Sequence, residues 1–315
     1  MHGPDPDTPE RSAETKTGYV TLMGRPNGGK STLLNRLVGE RLSIVTPKAQ
    51  TTWQRVTGIR TKDATQMIFL DTPGLLDARD LFQRAMLGEA LAAIHEADVL
   101  LLLLDPTRPG AARERREAIM SAISEATAPL HVAVNKVDEA DAGAVEAEAA
   151  WARRTLDAPV HLISASTGAG VDELVADLAR DLPPGPFLYP PDDLASEPVR
   201  FFVAEMVRET IFEQYHEEIP YSVFCQVEEY REDQDPLYIH VNVYVERESQ
   251  KRVLIGARGR AVRQLGQVAR GKIEHFLGRR VYLDLWIKHL RSWRRNRAHL
   301  RELGFHVPEA DGSRP

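Results

Sequence analysis

Gly24-Arg25-Pro26-Asn27-Gly28-Gly29-Lys30-Ser31 fits the pattern G-x-x-x-x-G-K-[ST], whose chemistry is that of a phosphate cradle. Tyr19–Met23 before it reads as a short buried strand, and Ser31–Val38 after it as a helix. A loop so placed aims successive backbone N–H groups and a helix N-terminus at one point. Lys30 then reaches the β- and γ-phosphates, the Ser31 hydroxyl ligates Mg²⁺, and Thr32 lies in the first helical turn beside the phosphates. A glycine-rich turn that merely fits the pattern is the alternative, and the strand–helix context weighs against it.

Downstream groups suit the same site. Asp71-Thr72-Pro73-Gly74 ends the strand Met67–Asp71; Asp71 would hold Mg²⁺ through water, and the Gly74 N–H would sense the γ-phosphate. Asn135-Lys136-Val137-Asp138 ends the strand His131–Asn135. The Asp138 carboxylate accepts from guanine N1–H and the exocyclic amine, whereas adenine presents a bare acceptor at N1, so the wrong base leaves polar groups unpaired. Lys136 can lie over the base plane, Asn135 braces the loop, and the Ala165 N–H of Ser164-Ala165 can reach guanine O6. Between Ser31 and Asp71, Gln50-Thr51-Thr52-Trp53 has no clear periodicity. One threonine hydroxyl, Thr52 in preference to Thr51, completes the Mg²⁺ shell with GTP and leaves it after hydrolysis. Lys30, Asn27, Thr52 and Gly74 are the groups expected to act on the γ-phosphate. With Gly24, Gly28 and Gly29 in the cradle, the four elements in this order describe a GTP-binding domain.

To hold these loops the chain must be a mostly parallel sheet flanked by helices, because short apolar runs alternate with amphipathic segments. Strands are expected at Tyr19–Met23, Val56–Arg60, Met67–Asp71, Val99–Asp105, His131–Asn135 and Val160–Ser164, with a helix at Val171–Leu182. Prolines at 183, 184, 186, 190 and 191 then mark a linker. We expect residues 1–17 as a disordered tail, 18–182 as the GTPase domain, 183–198 as the linker, 199–303 as a smaller α+β domain and 304–315 as a tail. In the second domain a helix carries Val203, Val207, Ile211 and Tyr215. Strands Ser222–Glu229 and Tyr238–Val245 follow, then Gly256-Ala257-Arg258-Gly259, a helix with Val262, Leu265, Ile273 and Phe276, and a strand at Val281–Ile287.

The 315 residues are enough for two domains, and 43% hydrophobic residues can bury sizeable cores. The single cysteine, Cys225, rules out an internal disulfide framework. The longest apolar run, Val99–Leu104, is far too short to span a bilayer, and the polar N-terminus lacks the apolar stretch of a signal peptide. A cytoplasmic protein is the expectation. The net charge of -6 hides an asymmetry, since Lys251–Arg301 holds 15 Lys+Arg against two acids, Glu274 and Asp284. A polyanion held at that end is implied.

Gly24-Arg25-Pro26-Asn27-x-Gly29-Lys30-Ser31-Thr32-Leu33-Leu34-Asn35, Lys48-Ala49-Gln50-Thr51-Thr52, Asp71-Thr72-Pro73-Gly74-Leu75, Asn135-Lys136-Val137-Asp138, Ile219-Pro220-Tyr221-Ser222-Val223, Ile255-Gly256-x-x-Gly259 and Leu285-Trp286-Ile287-Lys288 resemble the Era-like GTPases of bacteria. The resemblance runs from about Gly18 to Phe305. It implies a GTPase domain joined to a type II KH domain, binding near the 3′ end of small-subunit ribosomal RNA, and a role in ribosome assembly. A KH domain clamps four nucleotides of a single strand with a Gly-x-x-Gly loop; here that is Gly256, Ala257, Arg258 and Gly259, with Arg260 beside it. Arg291, Arg294, Arg295 and Arg297, interleaved with Trp293, would bind phosphates or stack on a base, unless they are a solvated basic face. Gly28, Trp53 and Ser166 depart from the family pattern, the first two bearing on nucleotide affinity and switch dynamics. Leu75 stands where many GTPases carry a water-orienting Gln. Related GTPases hold K⁺ with an asparagine at the position of Asn27, so K⁺ joins Mg²⁺ as an expected ion, unless Asn27 only shapes the loop. A monomer is expected. Two rival readings stay open: a GTPase peripheral to the inner face of the membrane that grips anionic lipid, and a non-hydrolysing scaffold.

Overall fold

The computed structural model describes residues 15–46, 48, 50–74, 78, 80–108, 119–124 and 126–307; Leu75 lies outside them. The first sheet comprises β1 (Lys16–Gly24), β2 (Val56–Lys62), β3 (Thr65–Asp71), β4 (Val99–Leu104), β5 (Leu130–Val134) and β6 (Val160–Leu162), in the order β2-β3-β1-β4-β5-β6. Only β2 runs antiparallel. β4 is the unbroken apolar run of the sequence because both sheet faces are covered. Val99, Leu101 and Leu103 pack in one cluster with Leu33 and Leu34 of α1 (Lys30–Val38) and with Leu174 and Leu178 of a helix at Val171–Asp181. Leu100, Leu102 and Leu104 pack on the other face, with Ala90 and Ile94 of α2 (Leu81–Glu96) and with Ala149 and Ala152 of α3 (Ala142–Thr155); the helix at Val171–Asp181 is α4. In such a sheet ligands bind beyond the carboxyl ends of the strands, where the order reverses, which is where the predicted loops emerge.

The second domain is α5 (Val199–Gln214), β7 (Val223–Arg231), β8 (Leu237–Val245), α6 (Glu248–Ile255), α7 (Arg260–Leu277) and β9 (Val281–His289). β7 pairs antiparallel with β8, and β9 runs parallel to β8. One face buries Val241, Val243 and Ile287 against Val207, Leu254 and Leu265 of the three helices. Cys225 is inside this core, where burial pushes its thiol far up and away from nucleophilic use.

Several expectations change. Lys16 and Thr17, assigned to a tail, open β1, because Thr65 and Gln66 offer them a partner strand. The proline-rich stretch is not a free spacer. Its Leu188 and Tyr189 N–H groups donate to buried Gln66 Oε1, the Ile59 N–H donates to Leu194 O, and the Thr57 N–H donates to Glu197 Oε1. It lies as a strap along β2 and β3, because prolines leave enough N–H groups between them to pair. Phe305 and Val307, also assigned to a tail, are buried.

The largest correction is Trp293. It is fully buried and its Nε1 donates to Ser222 O, 3.1 Å away. Around it stand Trp53 (centroids 5.9 Å), Phe82 (5.2 Å), Phe224 (6.0 Å) and Phe305. Trp53 and Phe82 belong to the first domain, so this ring cluster is the seam between domains. Arg294, also expected on RNA, instead reaches Asp80 (3.3 Å), whose other oxygen caps α2. Trp293→Ala should therefore cost about 3–5 kcal/mol of stability, the range for deleting a buried aromatic. Chemical denaturation monitored by circular dichroism checks this; a loss below about 1 kcal/mol would contradict the burial.

Candidate functional site

Helix α1 starts from Gly29 in a left-handed conformation (φ 95°), and no side chain caps its free N–H groups. An anion is what such an end lacks. A Cβ on Gly29 would lie 2.1 Å from Asn135 Nδ2, so glycine is required by the neighbouring loop as well. Gly28 is less constrained: its φ is ordinary, but an added Cβ would sit 3.1 Å from Arg25 O, a tight contact that the loop would have to relieve. Lys30 is buried and donates to Gly24 O (3.3 Å) and Arg25 O (3.1 Å). Burial pushes its ammonium down, while Asp71 opposes the shift.

The Ser31 hydroxyl lies 2.7 Å from Asp71 Oδ2, and Thr52 Oγ1 is 3.0 Å from Ser31 Oγ and 3.3 Å from the same carboxylate oxygen. Burial pushes the Asp71 carboxyl up, against Lys30, Ser31, Ser43 and Thr52. Its Oδ1 is buried with no hydrogen-bond partner. Convergent oxygens around a buried carboxylate with one oxygen left unpaired suit a hard cation such as Mg²⁺. Thr52, not Thr51, is therefore the ligand candidate; the Thr51 carbonyl is taken by Arg208 of α5. A cavity of about 470 Å³ is lined by Asn27, Lys30, Ser31, Thr52, Gly74 and Lys136. Thr32 and Gly29 also face it, and Gly74 closes against Pro26.

Asn135 ties three loops together. Its Nδ2 donates to Gly28 O (2.9 Å) and its Oδ1 accepts from the Ala165 N–H (2.9 Å). The Ala165 N–H, expected on guanine O6, is thus spent on Asn135 in this structure. Asp138 is exposed and held by hydroxyls: hydrogen bonds from Ser164, then Ser166, keep its carboxyl below the usual range, with Ser166 Oγ at 3.0 Å. The departure at Ser166 so supplies an orienting donor. Lys136 pairs with Asp105 (2.6 Å) at the end of β4. Arg36 of α1 donates to Ala165 O (2.6 Å) and Ser166 O, fixing the same loop from behind. Sequence reading missed Asp105 and Arg36. The place of Asp105 at a central strand end could have flagged it; nothing in the chain joins Arg36 to residues 129 positions away.

At the other end, Gly256 (φ 69°), Arg258 (φ 55°) and Gly259 (φ 73°) form a left-handed turn leading into α7, again without a side-chain cap. Ala257, Arg258 and Arg260 are exposed. A Cβ on Gly256 would meet Ala261 Cβ at 2.6 Å, so this glycine serves the turn itself before any RNA arrives.

A family model for 50S ribosome-binding GTPases matches residues 19–136, and a KH domain model matches residues 218–294. The chain is 39% identical over 294 residues to GTPase Era of Geobacter metallireducens, covering 92% of this chain and 98% of that one. It is 40% identical over 297 residues to GTPase Era of Carboxydothermus hydrogenoformans, with the same coverage. Two solved structures superpose with a TM-score of 0.87 over 93% of this chain and all of theirs. One, 35% identical, is a variant of Aquifex aeolicus Era bound to GDP.AlF4-. The other, 36% identical, is Era with MgGDPNP and nucleotides 1506-1542 of 16S ribosomal RNA.

Asp138→Asn should abolish tight GTP binding and favour xanthosine nucleotides, because the amide N–H pairs with the extra carbonyl of xanthine. Competition of labelled GTP with GTP and XTP reads this directly; unchanged preference for GTP would remove Asp138 from base recognition.

Proposed function

The chain belongs to the Era family of GTPases, and from that premise we propose that it holds single-stranded 16S ribosomal RNA on its KH domain under GTP control during small-subunit assembly. The reaction is GTP plus water to GDP plus phosphate. The observation that carries this reading is the convergence of five separate segments, from Asn27 to Lys136, on one cavity beside an uncapped helix.

The residues divide the work. The α1 N-terminus and Lys30 hold the phosphates, and Asp138, oriented by Ser164 and Ser166, reads guanine. Ser31, Thr52 and Asp71 would hold Mg²⁺, which when bound offsets charge on the phosphate oxygens. Thr52 and Gly74 line the cavity beside Lys30, where the γ-phosphate would sit. Leu75 offers no dipole to the attacking water, so turnover without a partner is slow. We assign to Asn27 a K⁺ beside the phosphates, in the place an arginine finger takes elsewhere. The cavity lining by Asn27 supports this assignment. The protein is taken to be a cytoplasmic monomer. Among the described residues no helix is long and apolar enough to cross a membrane, so any association with lipid would be peripheral, through the basic C-terminal region.

Hydrolysis in K⁺ should exceed that in an equal concentration of Na⁺, and Asn27→Ala should remove the difference. A rate indifferent to the cation, or a difference that survives the substitution, rejects the K⁺ assignment.

Replacing Ala257 and Arg258 with Asp should leave folding and RNA-free GTP hydrolysis intact and weaken RNA binding sharply. In wild type the log–log salt slope should be roughly -0.7 per phosphate contacted on a single strand. A titration of labelled 16S rRNA nucleotides 1506–1542 tests both; equal affinity of the two proteins at physiological salt would shift the reading toward anionic lipid.

A further inference from the structure

The second sheet has a face that the helices do not cover. On β9, Val281, Leu283, Leu285 and Ile287 point into the core beneath α7, while Tyr282, Asp284, Trp286 and Lys288 alternate onto the other side. Part of that side is closed by the domain seam, where Phe224 and Tyr244 meet Trp293 and Phe305. The remainder is open. There Tyr282 is 57% and Trp286 54% exposed, whereas the three other tryptophans, Trp53, Trp151 and Trp293, are at most 9% exposed.

These two rings are held as platforms. Tyr282 stacks on Tyr238 of β8 (centroids 5.8 Å, 14° between planes), and Trp286 rests on His240 (5.0 Å). The Asp284 carboxylate accepts from Trp286 Nε1 (2.9 Å) and Tyr238 OH (3.3 Å), which fixes both rings in place. Of the other acids nearby, Glu229 pairs with Arg231 and Glu228 accepts from Asn242 Nδ2 (2.7 Å), while Glu232, Asp233 and Asp235 stand exposed on the turn between β7 and β8. Cations border the rings, with Arg231 over Tyr238 (4.9 Å), Lys288 6.0 Å from the Trp286 ring centre, and exposed Arg279 and Arg280 just before β9. Beneath Trp286, His240 Nε2 and Asn242 Oδ1 are buried with no partner in the protein. Flat exposed rings with flanking cations are the chemistry that stacks an unpaired base.

We propose that this open face is a second RNA subsite, on which Tyr282 and Trp286 stack bases of the same strand that the Gly256–Gly259 loop clamps. The proposal rests on the KH reading above. Continuity supports it: β9 is the edge strand of the sheet and lies against α7, where a Cβ on Gly266 would be 3.5 Å from Leu285. A strand that follows α7 from the loop reaches the open face by passing round β9, the edge strand. Tyr282 and Trp286 stand four residues apart on one strand, roughly 13 Å, and sheet platforms of this kind take two or three bases.

The test uses the full chain and 16S rRNA nucleotides 1506–1542. Trp286 is the one exposed tryptophan, so a stacked base quenches the red-shifted part of the intrinsic emission and protects it from iodide; Trp286→Phe removes that signal. Tyr282→Ser and Trp286→Ser should each raise the RNA Kd about fivefold to a hundredfold. Trp286→Phe, which keeps a ring, should stay close to wild type, and RNA-free GTP hydrolysis should not change in any of the three. Unaltered tryptophan emission on saturation with RNA, or wild-type affinity in both serine variants, overturns the subsite while leaving the clamp at Gly256–Gly259 intact. Failure of wild type to bind the RNA overturns both. Normal binding of naked RNA with lost binding to 30S subunits would assign the face to a ribosomal protein instead.

Discussion

The position of Thr52 depends on a contact made by the other domain. Its neighbour Trp53 is buried in the ring cluster with Trp293 and Phe82, and the Arg208 guanidinium lies 4.7 Å from the Trp53 ring centre while donating to Thr51 O. Lys48, a few residues earlier, donates to the carbonyls of Phe212 and Tyr215 at the end of α5. The segment that brings a hydroxyl to Asp71 is thus fastened on both sides to the KH domain's first helix. Aromatic burial is strong and short-ranged, so a small displacement of that helix would be felt at Thr52. The Trp53 departure from the family pattern turns one of these fastenings into ring packing.

A second theme is anion chemistry by omission. Among the described helices, α2 is capped by Asp80 and α3 by Asp141, whereas α4 starts at left-handed Gly170 without a side-chain cap but carries Asp172 and Glu173 in its first turn. α1 and α7 likewise begin at left-handed glycines with no side-chain cap. Both leave N–H groups free at a point where a phosphate is expected. The same local device stands at the proposed nucleotide site and at the proposed RNA loop. What surrounds the two differs: Asp138 and the buried Asp71 carboxylate near the first, exposed Arg258 and Arg260 at the second.

Much was legible in the chain because the relevant signals are local. The order of the GTP-binding loops, the parallel sheet that must carry them, and the glycine loop with its strand–helix frame all follow from short patterns and their spacing. Backbone geometry enforces them, since the loops work by N–H direction and by glycines that tolerate positive φ. What sequence by itself determined was the site's parts and the fold class.

Only the tertiary structure decided which side chains were available. Trp293 sits among arginines and looked free to stack, yet it fills the seam between domains, while Trp286, within the expected strand Val281–Ile287, carries the exposed ring. Both lie in segments of similar composition, and burial depends on partners up to 240 residues away in the chain, as for Trp53 and Trp293. The same long range hides the Arg36 support of Ala165, the Asn135 bridge to Gly28 and the strap formed by the proline-rich stretch. Local pattern fixes what a residue can do; packing at distant sequence separation fixes what it is left free to do.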